Sequence, residues 1–138
     1  MSVYVIQALG EALTELMKTE AIEKVTADEL TAKAGVGRAT YFRNFKAKEE
    51  VLTAYIVWRW REYEKALRLK EHRIDEPYRV QQYFEFCYAM RETNDVIFAQ
   101  KRHGAILGAY EIIFQDYDLE EQQDTFARSY MAYGLYGV

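Results

Sequence analysis

The sequence predicts an all-α protein. Apolar residues recur at spacings of three and four, the period of an amphipathic helix, along most of the 138 residues. No stretch alternates apolar and polar residues for long enough to predict a β-sheet. The chain has a single proline, Pro77, and most of its seven glycines stand where a helix is expected to end. Together these three features favour a fold built only from packed helices.

The first three helices are predicted to be closely spaced. An apolar stripe predicts the first over residues 3–17. Thr26 and Glu29 have the three-residue spacing of a capping box, which predicts the start of a second, short helix. Gly35 can take the positive φ that ends this helix. A third short helix is then predicted over residues 38–45.

The rest of the chain is predicted to hold further helices. The fourth begins near Lys48, and the polar, charged residues 69–76 are predicted to form a loop. Pro77 suits the first turn of the next helix, because its missing N–H needs no partner there. Asn94 and Asp95 are candidate caps for a short helix. The remaining apolar stripes predict helices over residues 106–114 and 119–138.

Composition and charge set limits on function. The formal net charge is −4, so any contact with nucleic acid requires a local basic patch. No apolar run reaches the roughly 18 residues of a membrane helix, and the first residues do not resemble a signal peptide. Cys87 is the only cysteine and cannot form an internal disulfide. We therefore expect a soluble, cytoplasmic protein without membrane contact.

Positive charge is concentrated between residues 33 and 48. This segment holds five basic residues and no acidic one, whereas residues 1–54 as a whole hold seven basic and eight acidic residues. Two short helices joined by a glycine turn are typical of the helix-turn-helix, whose second helix enters the major groove of DNA. A basic stretch is also compatible with a merely solvated face. The capping box and the glycine turn favour the DNA-binding interpretation.

Residues 25–52, which read VTADELTAKAGVGRATYFRNFKAKEEVL, resemble the DNA-binding region of the TetR family of repressors. The resemblance implies an N-terminal three-helix DNA-binding domain over residues 1–47. It also implies a helical ligand-binding and dimerisation domain over residues 48–138. The third helix would then be the recognition helix.

The resemblance also assigns DNA contacts to individual residues. Thr26 and Lys48 are expected at phosphates, and Phe42 and Asn44 against the sugar-phosphate backbone. The remaining contact residues are expected to face the groove. The full set of predicted DNA-binding residues is Thr26, Arg38, Thr40, Tyr41, Phe42, Arg43, Asn44 and Lys48.

Several features depart from the family pattern. The family often has a tyrosine at the position of Phe42, a leucine at that of Tyr41 and a capping serine at that of Gly37. Its members usually carry a short basic arm before the first helix and are longer than this chain. We therefore expect the chain to be truncated after Val138.

The second part of the chain is rich in aromatic residues. Residues 55–138 hold ten of the twelve tyrosines, five of the seven phenylalanines and both tryptophans. Such rings are compatible with core packing or an interface, and also with a ligand cavity between helices. The candidate pocket residues are Tyr83, Cys87, Phe98, Tyr110, Phe114 and Tyr130. A cavity lined in this way predicts an apolar or aromatic inducer.

The predicted function is a ligand-responsive repressor that binds a palindromic operator as a homodimer and is released by a small-molecule inducer. Two alternatives stay open: a regulator of the same family controlled by a protein partner, and a helical protein that does not bind DNA. His72 and His103 have no sequence neighbours that suggest a nucleophile or a metal site. Neither catalysis nor a metal or other cofactor is predicted.

Overall fold

The computed structural model describes residues 2–115, and its elements over this range are all helical, as the sequence predicts. Seven α-helices and two 3₁₀ turns follow one another in this part of the chain. The α-helices are α1 (Val3–Met17), α2 (Ala27–Ala34), α3 (Arg38–Asn44), α4 (Lys48–Ala66), α5 (Pro77–Ala89), α6 (Arg91–Ala99) and α7 (His103–Gln115). The 3₁₀ turns are Ile22–Lys24 and Leu69–Glu71. The helix predicted over 119–138 lies outside the described residues.

Helix α4 is the central element of the described fold. It packs against both α1 and α7. The ring of Tyr55 lies directly on the backbone of α1 at Gly10, where a Cβ atom would overlap the ring. Two residues earlier, the hydroxyl of Thr53 donates a hydrogen bond to the carbonyl of Ala105 in α7, at 3.0 Å. Helix α4 therefore supplies core contacts both to the N-terminal helices and to the body, the part of the described chain that follows residue 47.

The α2–turn–α3 segment has the local chemistry that its sequence predicts. The Thr26 hydroxyl oxygen accepts a hydrogen bond from the Glu29 N–H at 3.1 Å and so caps α2. Gly35 ends α2 with φ +68°, which lies in the left-handed region. The next N–H, of Val36, donates to the Thr31 carbonyl at 3.0 Å. Gly37 is the N-cap of α3 and offers no side-chain cap.

The connection between α4 and α5, predicted as a loop, contains a buried anchor. Leu69 is fully buried within its 3₁₀ turn. Beside it, the buried guanidinium of Arg79 donates to the His72 carbonyl at 2.6 Å and to the Glu64 carboxylate at 3.3 Å. The cost of removing a buried ion pair from water is offset only when its geometry is good and further hydrogen bonds satisfy both partners. These contacts hold the connection against α4 and α5.

One predicted boundary is wrong. Asn94 and Asp95 do not cap a helix, because α6 begins at Arg91 and runs through both residues. Only Met90 separates α5 from α6, and its side chain is buried in the core. Among the described helices, none is long and apolar enough to cross a membrane.

Candidate nucleic-acid interface

Helix α3 presents two chemically different faces. Tyr41 and Phe45 point into the core, where their rings stack with centroids 6.0 Å apart. On the opposite side, Arg38, Phe42 and Arg43 are exposed. A helix packed on one face against its own domain leaves the other face for a groove. The exposed face is therefore the candidate surface for DNA.

Tyr41 corrects one predicted contact. Its side chain is only 5% exposed, and burial raises the pKa of its hydroxyl. The expectation that Tyr41 faces the groove is wrong, because the ring fills the position between α3 and the core. The family preference for leucine at this position is the sequence signal that indicates a core residue.

Arg38 and Phe42 form the centre of the exposed face. The Phe42 side chain is 56% exposed, which is unusual for a large apolar ring. The Arg38 guanidinium lies 5.7 Å from the centroid of this ring. Its Nε is also 2.9 Å from the Asp28 carboxylate in the first turn of α2. Asp28 was missed by sequence reasoning, because nothing in the spacing of the two residues indicates a contact.

Three other predicted contact residues, Thr26, Thr40 and Asn44, take part in local hydrogen bonds. Thr26 is exposed and caps α2. The Asn44 side-chain amide donates to the Thr40 carbonyl at 2.8 Å, so it folds back along α3. Thr40 is half-buried. Thr40 and Asn44 therefore contact each other on α3, whereas Thr26 lies at the start of α2.

Lys48 has a different environment from the one predicted. Its ammonium group donates to the carbonyls of Ile22 and Val25, at 2.5 and 2.7 Å. These contacts tie the start of α4 to the connection between α1 and α2. If this ammonium group also contacts a phosphate, it must donate to the phosphate in addition to the two carbonyls, or lose one of the carbonyl contacts. By contrast Lys33, Arg38, Arg43 and Lys46 all have exposed side chains.

The predicted pocket residues separate into two groups. Tyr83, Cys87, Tyr110 and Phe114 meet in the interior of the body, together with Trp60 and Phe86, which the sequence did not single out. Phe98 is not part of this group: it is 43% exposed and stacks on His103. Its inclusion in a pocket is therefore wrong. Tyr130 lies outside the described residues.

The interior aromatic cluster is tightly packed. The Tyr83 ring meets the Phe114 ring edge-on at 5.1 Å, and the cavity between the rings has a volume of only about 10 Å³. The polar atoms there include the Cys87 sulfur and the Tyr110 hydroxyl, which lie 3.1 Å apart. Burial raises the pKa of both groups, so they stay neutral. The cluster offers weak hydrogen-bonding groups in an apolar interior.

The exposed, basic α3 is joined by a glycine turn to a capped α2, which packs on α1. This arrangement is that of a helix-turn-helix, the motif by which many proteins bind DNA. Residues 10–55 match the family model for bacterial regulatory proteins of the tetR family. The N-terminal segment is therefore similar to the DNA-binding region of tetR-family transcription regulators. Comparisons with curated proteins and with solved structures give no match.

Proposed function

We propose that the protein is a ligand-responsive repressor that acts in the cytoplasm and binds a palindromic operator as a homodimer. The observation that carries the proposal is the exposed face of α3, where Arg38, Phe42 and Arg43 lie outside the core in a segment without acidic residues. We assign DNA binding to residues 1–47. We assign ligand binding and dimerisation to residues 48–138.

Each side chain on this face has a chemistry suited to DNA. Arginine forks match the guanine edge in the major groove, and we assign base reading to Arg38 and Arg43. The Phe42 ring and Asn44 suit the sugar-phosphate backbone. Thr26 and the exposed Lys46 supply phosphate contacts, which position the domain without reading sequence. Thr40 and Lys48 complete the proposed set.

The proposal is tested by selecting bound duplexes from a random DNA pool. We expect a symmetric consensus and an affinity that falls steeply with salt. Arg43→Ala should lose about 1–3 kcal/mol of preference at one base position. Arg73→Ala removes the same charge from the exposed α4–α5 connection and serves as the control. Recovery of no duplex, or equal effects of the two substitutions, would refute DNA reading by α3.

Ligand response is proposed for the interior aromatic cluster. Pockets for small molecules typically have volumes of about 300–1,000 Å³, far above the space between these rings. A ligand must therefore displace rings borne by α4, α5 and α7. Because α4 also packs on α1, this displacement would shift the equilibrium between conformations with different positions of α3. Apolar aromatic compounds that release the selected duplex would support the proposal.

Dimerisation is proposed through the segment predicted to form the last helix. Phe126, Tyr130 and Tyr133 recur there at spacings of four and three, and this segment lies outside the described residues. A dimer with two-fold symmetry would place two copies of α3 on successive major grooves. Sedimentation at micromolar concentration checks this part: a monomer that binds a symmetric duplex only once would contradict it.

Control by a protein partner is a second candidate, and one feature of α5 favours it. Phe84 and Tyr88 are four residues apart on one face of α5, and both are exposed, as is Tyr78. Exposed aromatic residues on one helix face are typical of protein interfaces. The charge-preserving pair Phe84→Ser and Tyr88→Ser should leave release by a small molecule unchanged. Loss of regulation in cells with intact release in vitro would favour the protein partner.

A further inference from the structure

One side chain of the body, that of Gln100, forms hydrogen bonds with three backbone groups of the DNA-binding segment. This residue is the C-cap of α6. Its amide nitrogen donates to the carbonyls of Met17 and Glu20, each at 2.8 Å. Its amide oxygen accepts the Ile22 N–H at 2.7 Å. The three partners are 78 to 83 residues away in the sequence.

These three contacts engage both donors and the acceptor oxygen of the amide. A glutamine side chain has two N–H donors and one carbonyl oxygen, and here each donor and the oxygen has a backbone partner. A group with only donors or only acceptors cannot replace it. The contacts therefore select both the position and the orientation of the Gln100 side chain.

The partners of Gln100 all lie at the end of α1 or in the α1–α2 connection, which comprises residues 18–26. This connection leads directly into Thr26, the cap of α2. It is also held by Lys48 from α4 and by Arg102, whose guanidinium pairs with Glu23 and lies 3.6 Å from Glu49. Together these contacts restrict the backbone conformations available where the helix-turn-helix begins.

The turn that carries Gln100 is itself held in one conformation. Lys101 has φ +58°, a left-handed conformation that is uncommon for a residue with a side chain. The Arg102 N–H donates to the Ile97 carbonyl at 3.0 Å, and the Lys101 N–H donates to that of Phe98 at 2.9 Å. These bonds close the end of α6. These bonds therefore define the backbone conformation from which the Gln100 side chain extends.

We propose that Gln100 is a positioning residue for DNA binding: it sets the α1–α2 connection, and with it the placement of α2 and α3, without touching DNA. The inference rests on the DNA-binding function and adds a residue of the body to it. A wrongly placed helix-turn-helix can still fold, but it makes fewer phosphate contacts at once.

The test uses the full chain and two substitutions. Gln100→Glu keeps the acceptor for Ile22 but sets a carboxylate against two carbonyl oxygens. Gln100→Met keeps the side-chain length and removes all three hydrogen bonds. The control is Gln81→Glu, which makes the first change on the exposed face of α5. The probes are the selected duplex and a random-sequence duplex.

We expect the affinity for the selected duplex to fall about tenfold for Gln100→Glu and less for Gln100→Met, with no change for Gln81→Glu. The slope of log affinity against log salt should fall by about one for each lost phosphate contact. Loss of folded protein alone would reduce the active fraction and leave that slope unchanged. The slope thus separates positioning from general destabilisation.

Amide exchange provides a readout that needs no DNA. Exchange at Ile22 should speed up in Gln100→Met and change less in Gln100→Glu, which retains the acceptor. Unchanged Ile22 exchange in Gln100→Met, or unchanged affinity and salt slope in both variants, would overturn the inference. Absence of DNA binding by the unmodified protein would instead refute the proposed function, and the exchange result would still decide whether Gln100 holds the connection.

Discussion

Phe42 places a large apolar ring on the exposed face of α3, where it contacts water. Its ring remains half-exposed and lies beside the Arg38 guanidinium. A ring in this position, next to a cation that attracts phosphate, is suited to the sugar-phosphate backbone. A hydroxyl added at its tip would reach outward and would not enter the core.

We predict that Phe42→Tyr leaves the free energy of unfolding unchanged and tightens DNA binding. A new neutral hydrogen bond to a phosphate is worth roughly 0.5–1.5 kcal/mol. Binding to the selected duplex and urea denaturation measure the two quantities. Tyr41→Phe is the matched control, because it removes a hydroxyl from the buried neighbour and should leave DNA binding unchanged. Weaker binding by Phe42→Tyr would show that this position does not approach the phosphate.

Lys46 and Lys48 are predicted to differ although they are two residues apart. Lys48→Met removes two hydrogen bonds from a charged donor and should lower the free energy of unfolding by about 1–3 kcal/mol. Lys46→Met removes an exposed charge and should change stability by less than about 0.5 kcal/mol. It should also reduce the salt slope of DNA binding by about one. Equal stabilities for the two variants would contradict the role given to Lys48.

Single side chains mark the limit of what the sequence predicts. Helical periodicity cannot decide which of Tyr41 and Phe42 faces inward when both are aromatic. The contacts of Lys48 and Gln100 join segments that are far apart in the chain, and no local pattern encodes them. The exposed positions of Arg38 and Arg43, by contrast, agree with the segregation of basic residues that the sequence shows.

The turn between α2 and α3 contains two glycines with different roles. Gly35→Ala should destabilise the protein by about 1–2 kcal/mol, because φ +68° is unfavourable for alanine although the space around it is open. Gly37→Ser should stabilise it by a few tenths of a kcal/mol, because Gly37 has the extended conformation of an N-cap. Thermal denaturation of both variants checks this. Equal effects would contradict the assigned conformations.

The start of α5 should make stability depend on pH. The Glu76 carboxylate accepts the Arg73 N–H at 3.1 Å and lies 2.7 Å from His72 Nδ1, and these contacts hold the pKa of Glu76 below its ordinary value. A lowered pKa in the folded state stabilises the protein above the ordinary pKa. This contribution is lost as the pH falls through the lowered value.

We therefore predict that Glu76→Gln is less stable than the unmodified protein at neutral pH, and that the difference shrinks as the pH falls. Urea denaturation between about pH 7 and pH 3 measures it. Glu62→Gln, on the exposed side of α4, is the control and should show no such trend. A constant difference across the range would mean that the Glu76 contacts do not persist in solution.

Most described helices were predictable because their ends carry chemical signals. Thr26 supplies a hydroxyl cap at the start of α2, and Gly35 supplies a left-handed turn at its end. Pro77 stands in the first turn of α5. The boundary between α5 and α6 has no side-chain cap, and Met90 gives no signal. Asn94 and Asp95 are good caps in isolation, but burial of Met90 and Ile97 outweighs that preference.

Helix α4 contributes to two parts of the described fold. At its start, Lys48 forms hydrogen bonds with the segment assigned to DNA binding, and further along α4 Trp60 lies in the aromatic interior. Between these points, Tyr55 lies on α1 and Thr53 bonds to α7. The proposed boundary at residue 47 would therefore not separate independent cores, because one hydrophobic core extends to both sides of it.

Because α4 is shared by α1 and α7, the described part of the chain should unfold as one cooperative unit. Ile56, in the middle of α4, is 1% exposed. Ile56→Ala should lower the free energy of unfolding by about 2–5 kcal/mol. If α1 and α7 depend on one core, the most protected amides of both should lose the same free energy of opening. Ile112→Ala, at an exposed position on α7, is the control and should change neither. Faster exchange in α7 with unchanged exchange in α1 would instead mean that the DNA-binding helices keep a core of their own, and that a change in the body cannot reach them through α4.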